Sequence, residues 1–189
     1  MTFEWSDDMP RLRAARLTLR PLIPADVPAL FEVFGDSEVM RYWSRPPLAS
    51  LADADALLHE IHEGFRTRSF LQWGIEIDDQ DGIAGTCTLF RIERAHRRAE
   101  IGFALGRRHW GRGFASEAAA RAVGFAFESL GLHRIEADAD PRNARSLRLL
   151  EGLGFVREGI LRERYHVNGE IQDAVILGLL RAVWIRRRG

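Results

Sequence analysis

The chain has 189 residues, 46% hydrophobic and 29% charged, which is typical of a globular domain that buries a sizeable core. Its 27 Lys+Arg balance its 27 Asp+Glu, so binding to nucleic acid or an anionic membrane is not expected. All 27 of the Lys+Arg residues are arginine, and the lack of lysine excludes a pyridoxal Schiff base and a lysine-dependent phosphate loop. The single Cys87 excludes an internal disulfide, and the absence of a long apolar run or a leader-like start predicts a cytoplasmic protein.

The first half of the chain predicts an antiparallel meander with two inserted helices. Apolar and polar residues alternate in the strand segments, whereas apolar residues at helical spacing mark the longer helix. Asp26 is the expected N-cap of the shorter helix, with Pro28 in its first turn. The predicted strands are 17–22, 71–77, 83–92 and 99–105, and the predicted helices begin at 24 and include 57–65.

The second half alternates strands and helices. A glycine-containing loop at 106–113 is followed by a helix at 114–130, a strand at 133–139, a helix at 144–153, and strands at 155–161 and 171–180. A strand, a helix and a strand in this order form a parallel crossover. We therefore predict an α/β (α+β) fold with a mixed, mostly antiparallel sheet of about seven strands, in one domain over 1–189 with its core at about 11–183.

The loop before the long helix has the composition of an anion site. Gly111 and Gly113 allow the backbone to turn sharply and to approach a ligand closely. The first amide groups of the following helix have no internal partner and lie at the positive end of its dipole. Arg107, Arg108 and Arg112 add positive potential, so the loop is predicted to bind phosphate.

Other phosphate loops fit this segment poorly. A dinucleotide fingerprint needs a parallel sheet and a glycine turn that directly follows a strand. It also needs a third small residue, at the position that Ser116 occupies here. Here an antiparallel meander precedes the loop, and residues 107–110 separate Gly111 from Gly106 at the end of the strand. A connection that carries only solvated arginines is the remaining alternative.

The segment Arg108-x-x-Gly111-x-Gly113 matches the Q/R-x-x-G-x-G/A acetyl-CoA signature of the GNAT N-acetyltransferase superfamily. The surrounding residues 110–118, Trp-Gly-x-Gly-Phe-Ala-x-Glu-Ala, resemble the branch that acetylates the N-termini of ribosomal proteins, the Rim-type enzymes. That branch has a mixed sheet with helices on both faces, in which the strands beside the long helix splay to admit acetyl-CoA. Further segments similar to it occur in the same order at 16–22, 39–43, 143–146, 153–159 and 165–169.

The resemblance implies a set of cofactor contacts. Backbone amides of 108–113 would hold the pyrophosphate, and residues 103–105 would run beside the pantetheine. Asn143 would bind the pantetheine amides, cap the next helix, or do both, and Ser146 would face the thiol or solvent. The implied cofactor-binding residues are Phe103, Ala104, Leu105, Arg107, Arg108, His109, Trp110, Gly111, Arg112, Gly113, Phe114, Ala115, Ser116, Asn143 and Ser146.

Acetyl transfer needs an oxyanion site, an acid for the leaving thiolate and, for some amines, a base. Strand amides can stabilise the oxyanion, and Ser146 is the first candidate for the acid, with Tyr165 the second. Tyr165 could equally be a pocket wall or a core residue, and some Rim-type members carry a carboxylate before the aromatic where this chain has Arg164. Glu100 is the candidate base, or else a glutamate paired with a nearby arginine.

The sequence says least about the amine that accepts the acetyl group. Tyr42 and Trp43 could line an acceptor pocket or pack in a core. A protein N-terminal α-amine is the first expectation, and an amino acid, polyamine or antibiotic amine is the alternative, as is an acyl-CoA-binding module without activity. His59 and His62 have helical spacing but no acidic third ligand, so no metal site is expected. Both a monomer and a homodimer are compatible with the sequence.

Overall fold

The protein, described by a computed structural model over residues 8–167 and 169–187, is built on one β-sheet with helices packed against it. Within these residues the strands are β1 (Leu12–Arg13), β2 (Leu17–Arg20), β3 (Leu71–Ile77), β4 (Gly85–Glu93), β5 (Arg98–Leu105), β6 (Arg134–Ala139), β7 (Val156–Val167) and β8 (Glu170–Leu180). The helices are α1 (Val27–Phe34), α2 (Ser37–Met40), α3 (Leu51–Arg66), α4 (Phe114–Glu128), α5 (Ala144–Leu153) and α6 (Arg181–Arg186).

The sheet order is β1-β2-β3-β4-β5-β6-β8-β7, and every neighbouring pair is antiparallel except β5 and β6. These two parallel strands are connected through α4, as the predicted crossover requires. Their ladder pairs Arg98–Glu100 with Arg134–Glu136 and then ends. The strands therefore separate beyond Glu100, which confirms the predicted mixed sheet and its splayed parallel pair.

Helices cover both faces of the sheet and form two apolar clusters. On one face α4 packs over strand residues that include Trp73, whose ring meets Phe125 edge-on with a centroid distance of 5.7 Å. On the other face α1 and α3 pack over Ile83 and Ala104. Gly74 lies on this second face, where an added Cβ would come within 2.6 Å of Ile83. Helices thus cover both faces of the sheet, and in the described residues neighbouring strands separate only between β5 and β6, where they leave a gap.

Asp26 occupies the predicted N-cap position of α1, but its carboxylate does not cap that helix. It accepts two hydrogen bonds from the Arg20 guanidinium at 2.7 and 2.8 Å and one from the Ile23 amide at 2.9 Å. Both charged side chains are buried. A buried guanidinium requires a paired carboxylate, and this requirement takes precedence over capping.

Three elements were not predicted from the sequence, namely β1, α2 and α6. In addition, β7 extends to Val167, six residues past its predicted end. It contains irregularities in its pairing with β8 and a positive φ of 55° at Glu163, which interrupt the alternating pattern. In the described part of the chain, no helix has both the length and the apolar character needed to cross a membrane.

Candidate active site

The glycine loop between β5 and α4 presents backbone amides at a helix N-terminus. Gly111 and Gly113 adopt left-handed conformations with φ of 73° and 82°, which favour glycine. The amides of His109 and Trp110 donate within a preceding 3-10 turn, at 2.9 and 3.1 Å. The first bond of the helix runs from Glu117 to the Gly113 carbonyl, so the amides between these two residues have no intrahelical partner. Within the predicted 108–113, the amides of His109 and Trp110 are thus already used by the turn, and the amides open to an anion continue from Gly111 into the first turn of α4.

Arg16, in the turn before β2, attaches this loop to the sheet. Its backbone N and Nε donate to the two carboxylate oxygens of Glu117 at 2.6 and 2.7 Å, and its Nη1 donates to the Arg112 carbonyl at 3.2 Å. The guanidinium groups of Arg16 and Arg112 also lie 4.8 and 4.9 Å from the centroid of the buried Phe114 ring. These contacts fix the start of α4, and hence the amides that face the anion.

The cleft side of β5 presents backbone groups without a strand partner. Gly106 donates to the Ala84 carbonyl on the β4 side, and backbone direction alternates along a strand, so Phe103 and Leu105 direct their groups toward β6. The β5–β6 ladder has ended before this point. The Leu105 carbonyl accepts a hydrogen bond from the Trp110 indole at 2.6 Å. The Phe103 backbone groups and the Leu105 amide are therefore directed into the gap.

Asn143 and Ser146 lie on the other wall of the cleft, at the start of α5. Asn143 is the N-cap, and its side-chain oxygen accepts from the Ser146 amide at 3.1 Å, which confirms the predicted cap. Asn143 and Ser146 both line the cleft. Arg145 lies in the first turn of α5, with its guanidinium 4.7 Å from the Trp110 ring centroid.

His109 is buried beside the glycine loop and is 4% exposed. Its Nε2 accepts from the Nε of Arg108 at 2.8 Å, so the ring proton resides on Nδ1. Burial, followed by the charges of Arg108 and Arg112, lowers the pKa of His109. Among the described residues Nδ1 has no hydrogen-bond partner. The imidazole is therefore neutral and contributes no charge to an anion site.

Two pairs of side chains lie near the base of the gap. Both carboxylate oxygens of Glu100 accept from Arg91, at 2.9 and 3.1 Å, which is the arginine pairing considered for it from the sequence. The Tyr165 hydroxyl donates to the Asp138 carboxylate. Burial and this hydrogen bond raise the pKa of Tyr165 to about 12. Sequence reasoning missed Arg91 and Asp138, although the two-residue period of β6 places Asp138 on the face opposite the buried Ala137 and Ala139.

Tyr42 and Trp43 follow α2 and close the far end of the cleft. The guanidinium groups of Arg41 and Arg142 lie 5.3 and 5.7 Å from the Tyr42 ring centroid. Trp43 meets Phe34 edge-on at 5.6 Å and is partly buried. Tyr42 thus faces a charged surface, whereas Trp43 both lines the cleft and packs against the α1–α3 cluster.

The structure brings most of the predicted site residues to one cleft of about 1010 Å³. Glu100, Tyr165, Arg108 and Arg112 are not part of its lining. Arg108 instead forms an ion pair with Glu32 at 3.1 Å. The predicted residues that line the cleft are Tyr42, Trp43, Phe103, Ala104, Leu105, Arg107, His109, Trp110, Gly111, Gly113, Phe114, Ala115, Ser116, Asn143 and Ser146.

The two histidines of α3 have separate partners. His59 lies 3.5 Å from Asp55, and His62 Nε2 is 2.9 Å from the Leu22 carbonyl. Over residues 8–167 and 169–187, no group of three or more His, Cys, Asp or Glu side chains is placed to hold a metal ion.

Residues 16–156 match the family model of the acetyltransferase (GNAT) domain. The chain belongs to this GNAT family. It is 36% identical to the uncharacterized N-acetyltransferase p20 of Bacillus licheniformis over 173 residues, which are 92% of this chain and 97% of that protein. GNAT enzymes use acetyl-CoA, and the two left-handed glycines, the free amides of α4 and the unpaired edge of β5 fit that cofactor. The protein is an N-acetyltransferase.

Two solved structures resemble the fold closely. The spermidine N-acetyltransferase of Vibrio cholerae in complex with CoA and spermine is 28% identical, with a TM-score of 0.80 over 90% of this chain and 98% of that chain. The RimJ structure of Mycobacterium smegmatis in complex with CoA-disulfide has a TM-score of 0.82 over 96% of this chain and 91% of that chain, at 24% identity. At this identity the second likeness supports the fold alone.

Proposed function

We propose that this GNAT enzyme acetylates the N-terminal α-amine of a protein or peptide. The observation that carries the proposal is the charge of the cleft. Its ionised lining consists of one glutamate, Glu38, and five arginines, Arg41, Arg107, Arg142, Arg145 and Arg148. A polycation would need several carboxylates at the acceptor end, whereas a peptide N-terminus carries one positive charge at most.

Acetyl-CoA supplies the activated acetyl group, and the chain binds and orients it. The amides from Gly111 to the first turn of α4 would hold the pyrophosphate, with Arg107 and Arg145 adding positive charge nearby. The backbone of Phe103 and the side-chain amide of Asn143 would hold the pantetheine from opposite walls. The Phe103 amide would also serve as the donor for the developing oxyanion.

The side chains near the gap fit a weakly basic acceptor. Both carboxylate oxygens of Glu100 are engaged by Arg91, so Glu100 would accept the proton of the amine through water rather than by direct contact. An α-amine with a pKa of about 7.7–8 is partly neutral near pH 7, whereas a lysine or similar alkylamine at about 10.4 needs stronger assistance. Ser146 is the proposed acid for the thiolate, because the hydroxyl proton of Tyr165 is directed to Asp138.

A polyamine acceptor is the second candidate. It is favoured by the similarity to the Vibrio cholerae enzyme that was solved with CoA and spermine. In this chain a polyamine would have to use Glu38 together with carboxylates that already pair with arginine, such as Glu170 near Arg142 at 4.0 Å. Binding would therefore require those ion pairs to open.

Release of free CoA from acetyl-CoA, measured against a panel of amines, tests the proposal. The panel contains peptides with a free N-terminus, the same peptides with a blocked N-terminus and an internal lysine, spermidine, and single amino acids. Preferred turnover of the free N-termini supports the proposal, and preferred turnover of spermidine refutes it in favour of the second candidate. Only slow hydrolysis, unchanged by every acceptor, would indicate an acyl-CoA-binding module.

A further inference from the structure

The sheet face opposite α4 carries carboxylates on both sides of the gap between β5 and β6. In β6, Ala137 and Ala139 belong to the apolar cluster under α4, so the alternate residues point to the opposite face. The ladder between the two strands places Glu100 beside Glu136, on that same face. The carboxylates of this face at the gap are therefore Glu100 on β5 and Glu136 and Asp138 on β6.

Asp138 differs from the other two carboxylates in the charge of its partner. Glu100 accepts hydrogen bonds from Arg91, and Glu136 accepts them from two arginines. Asp138 accepts instead from the neutral hydroxyl of Tyr165. The pKa of Arg91 is raised mainly by its hydrogen bond to Glu100 and least by Asp138, and in the described part of the chain no arginine forms an ion pair with Asp138. Because a half-buried carboxylate is stabilised by a cation, Asp138 is expected to bind one that the chain does not supply.

Two strand irregularities accompany this arrangement. Arg91, with φ of 48°, lies in the irregular part of β4, and Glu163, with φ of 55°, lies in that of β7, two residues before Tyr165. Positive φ at such residues costs free energy and persists where surrounding contacts hold it, as a β8 carboxylate holds the Glu163 amide at 2.8 Å. The Arg164 guanidinium lies 5.7 Å from the centroid of the Tyr165 ring. Tyr165 donates to Oδ2 of Asp138, which leaves Oδ1 of this carboxylate as the acceptor for a ligand.

Gly102 leaves space on the other side of the gap from Asp138. The last paired residues of β5 and β6 lie two positions before Gly102 and Asp138, so these two follow on the same face. The φ of Gly102 is not positive, and an added Cβ would meet only the Phe90 ring, at 3.5 Å. The glycine thus provides room on this face rather than a special backbone conformation. The room adjoins Phe103, whose backbone groups are directed into the gap where the thioester would lie.

We propose that Asp138 binds the ammonium group of the acceptor amine, in the space that Gly102 leaves open. One N–H of the ammonium donates to Oδ1 of Asp138, and Tyr165 holds the carboxylate in position. The proton of a second N–H passes through water to Glu100, and its bonding electron pair stays on nitrogen as the lone pair that attacks the thioester carbon. Any primary amine that the enzyme acetylates would use this contact, whether it is a peptide N-terminus or a polyamine.

Steady-state kinetics of Asp138→Asn test this contact, because the variant removes the charge and keeps an oxygen that accepts from Tyr165. The acceptor is the amine of the panel above that the wild type turns over fastest. Its KM should rise roughly 10- to 100-fold, as expected for the loss of a hydrogen bond to a charged group, while kcat changes little. The KM for acetyl-CoA should stay unchanged, because Asp138 points away from α4. The preferred amine tests the proposed function and the change in KM tests Asp138, so either can fail alone.

Calorimetric titration of the CoA-bound enzyme separates charge from shape. The wild type should bind this amine at least roughly tenfold more tightly than an analogue with hydrogen in place of the amino group, and Asp138→Asn should bind both alike. Glu136→Gln is the matched control, since it removes a carboxylate of the same strand and face that arginines already neutralise, and it should leave the acceptor KM unchanged.

Gly102→Val fills the proposed space without changing any charge. It should raise the acceptor KM at least roughly tenfold and leave CoA affinity unchanged, and it decides the question if Asp138→Asn does not fold. An unchanged acceptor KM in Asp138→Asn or in Gly102→Val overturns the proposal, as does a loss confined to kcat. An equal rise in Glu136→Gln, or a preference for the amine over its analogue that survives in Asp138→Asn, overturns it as well.

Discussion

Replacing Arg16 by alanine should weaken acetyl-CoA binding although Arg16 does not line the cleft. Its side chain donates to Glu117 at 2.7 Å and to the Arg112 carbonyl at 3.2 Å, which fixes the start of α4. A hydrogen bond to a charged group contributes a net free energy of about 1.5–3 kcal/mol when it is shielded from solvent. Because the Arg16 side chain is 52% exposed, solvent screening reduces the sum of both contacts to about 1–2 kcal/mol.

This free energy stabilises the conformation of the loop in which its amides face the phosphate. If all of it appears in binding, the dissociation constant for CoA rises roughly 5- to 30-fold, since about 1.4 kcal/mol corresponds to a tenfold change. Calorimetric titration with CoA measures this directly. In steady-state kinetics the KM for acetyl-CoA should rise while kcat changes little, because the reacting atoms are not touched.

Two further variants separate positioning from general destabilisation. Arg16→Lys keeps the charge but loses the planar fork, so its affinity should lie between those of the wild type and Arg16→Ala. Arg11→Ala removes an exposed pair with Glu76 at 3.3 Å on the neighbouring strand and should have no effect on CoA binding. Wild-type affinity in Arg16→Ala, or a fall in kcat with unchanged affinity, would refute the reasoning.

Three other outcomes are expected. Gly111→Val should abolish CoA binding while the protein stays folded, because its φ of 73° strains a branched residue. Apart from the chain neighbours of Gly111, no atom of the described residues lies within 4 Å of the added Cβ, so no clash should unfold the loop. Detectable binding by titration would contradict this. Ser146→Ala should lower kcat, by about 100-fold if general-acid assistance is at the low end of its usual range, with CoA affinity unchanged; Tyr165→Phe should lower kcat less, and the reverse order would move the acid to Tyr165. In the native protein, absorbance at 295 nm should show a tyrosine ionising near pH 12 that is lost in Tyr165→Phe. Because this folded pKa lies above the ordinary value of 10, the stability that the protonated hydroxyl contributes is complete below pH 10 and is lost as the pH rises through 12.

Local sequence signals predicted the elements that have clear start and stop residues. The bounds of α5 agree with the prediction because Asn143 caps its start and Gly154, with φ of 99°, ends it. The glycine loop was also predictable, since the positive φ of Gly111 and Gly113 favours glycine.

The pairs that hold the site in place were not predictable, because their partners are far apart in the chain. Arg16 and Glu117 are 101 residues apart, and Asp138 and Tyr165 are 27 apart. Such contacts depend on which strands become neighbours, and the insertion of β8 between β6 and β7 has no signal in any short window. The extent of β7 was missed for a related reason, since a strand exposed on both faces has no alternating pattern to detect.

The short ladder between β5 and β6 also links the stability of this enzyme to its cofactor. Beyond the pairing of Glu100 with Glu136, the cleft-side backbone groups of β5 have no strand to bond. Any molecule that bonds there favours the folded chain by mass action, by about 2.7 kcal/mol at one hundred times its dissociation constant. For a chain of this length, such a free energy corresponds to a rise in Tm of roughly 5–10 °C. The concentration of acetyl-CoA would thus affect the stability of the folded enzyme as well as its rate of turnover.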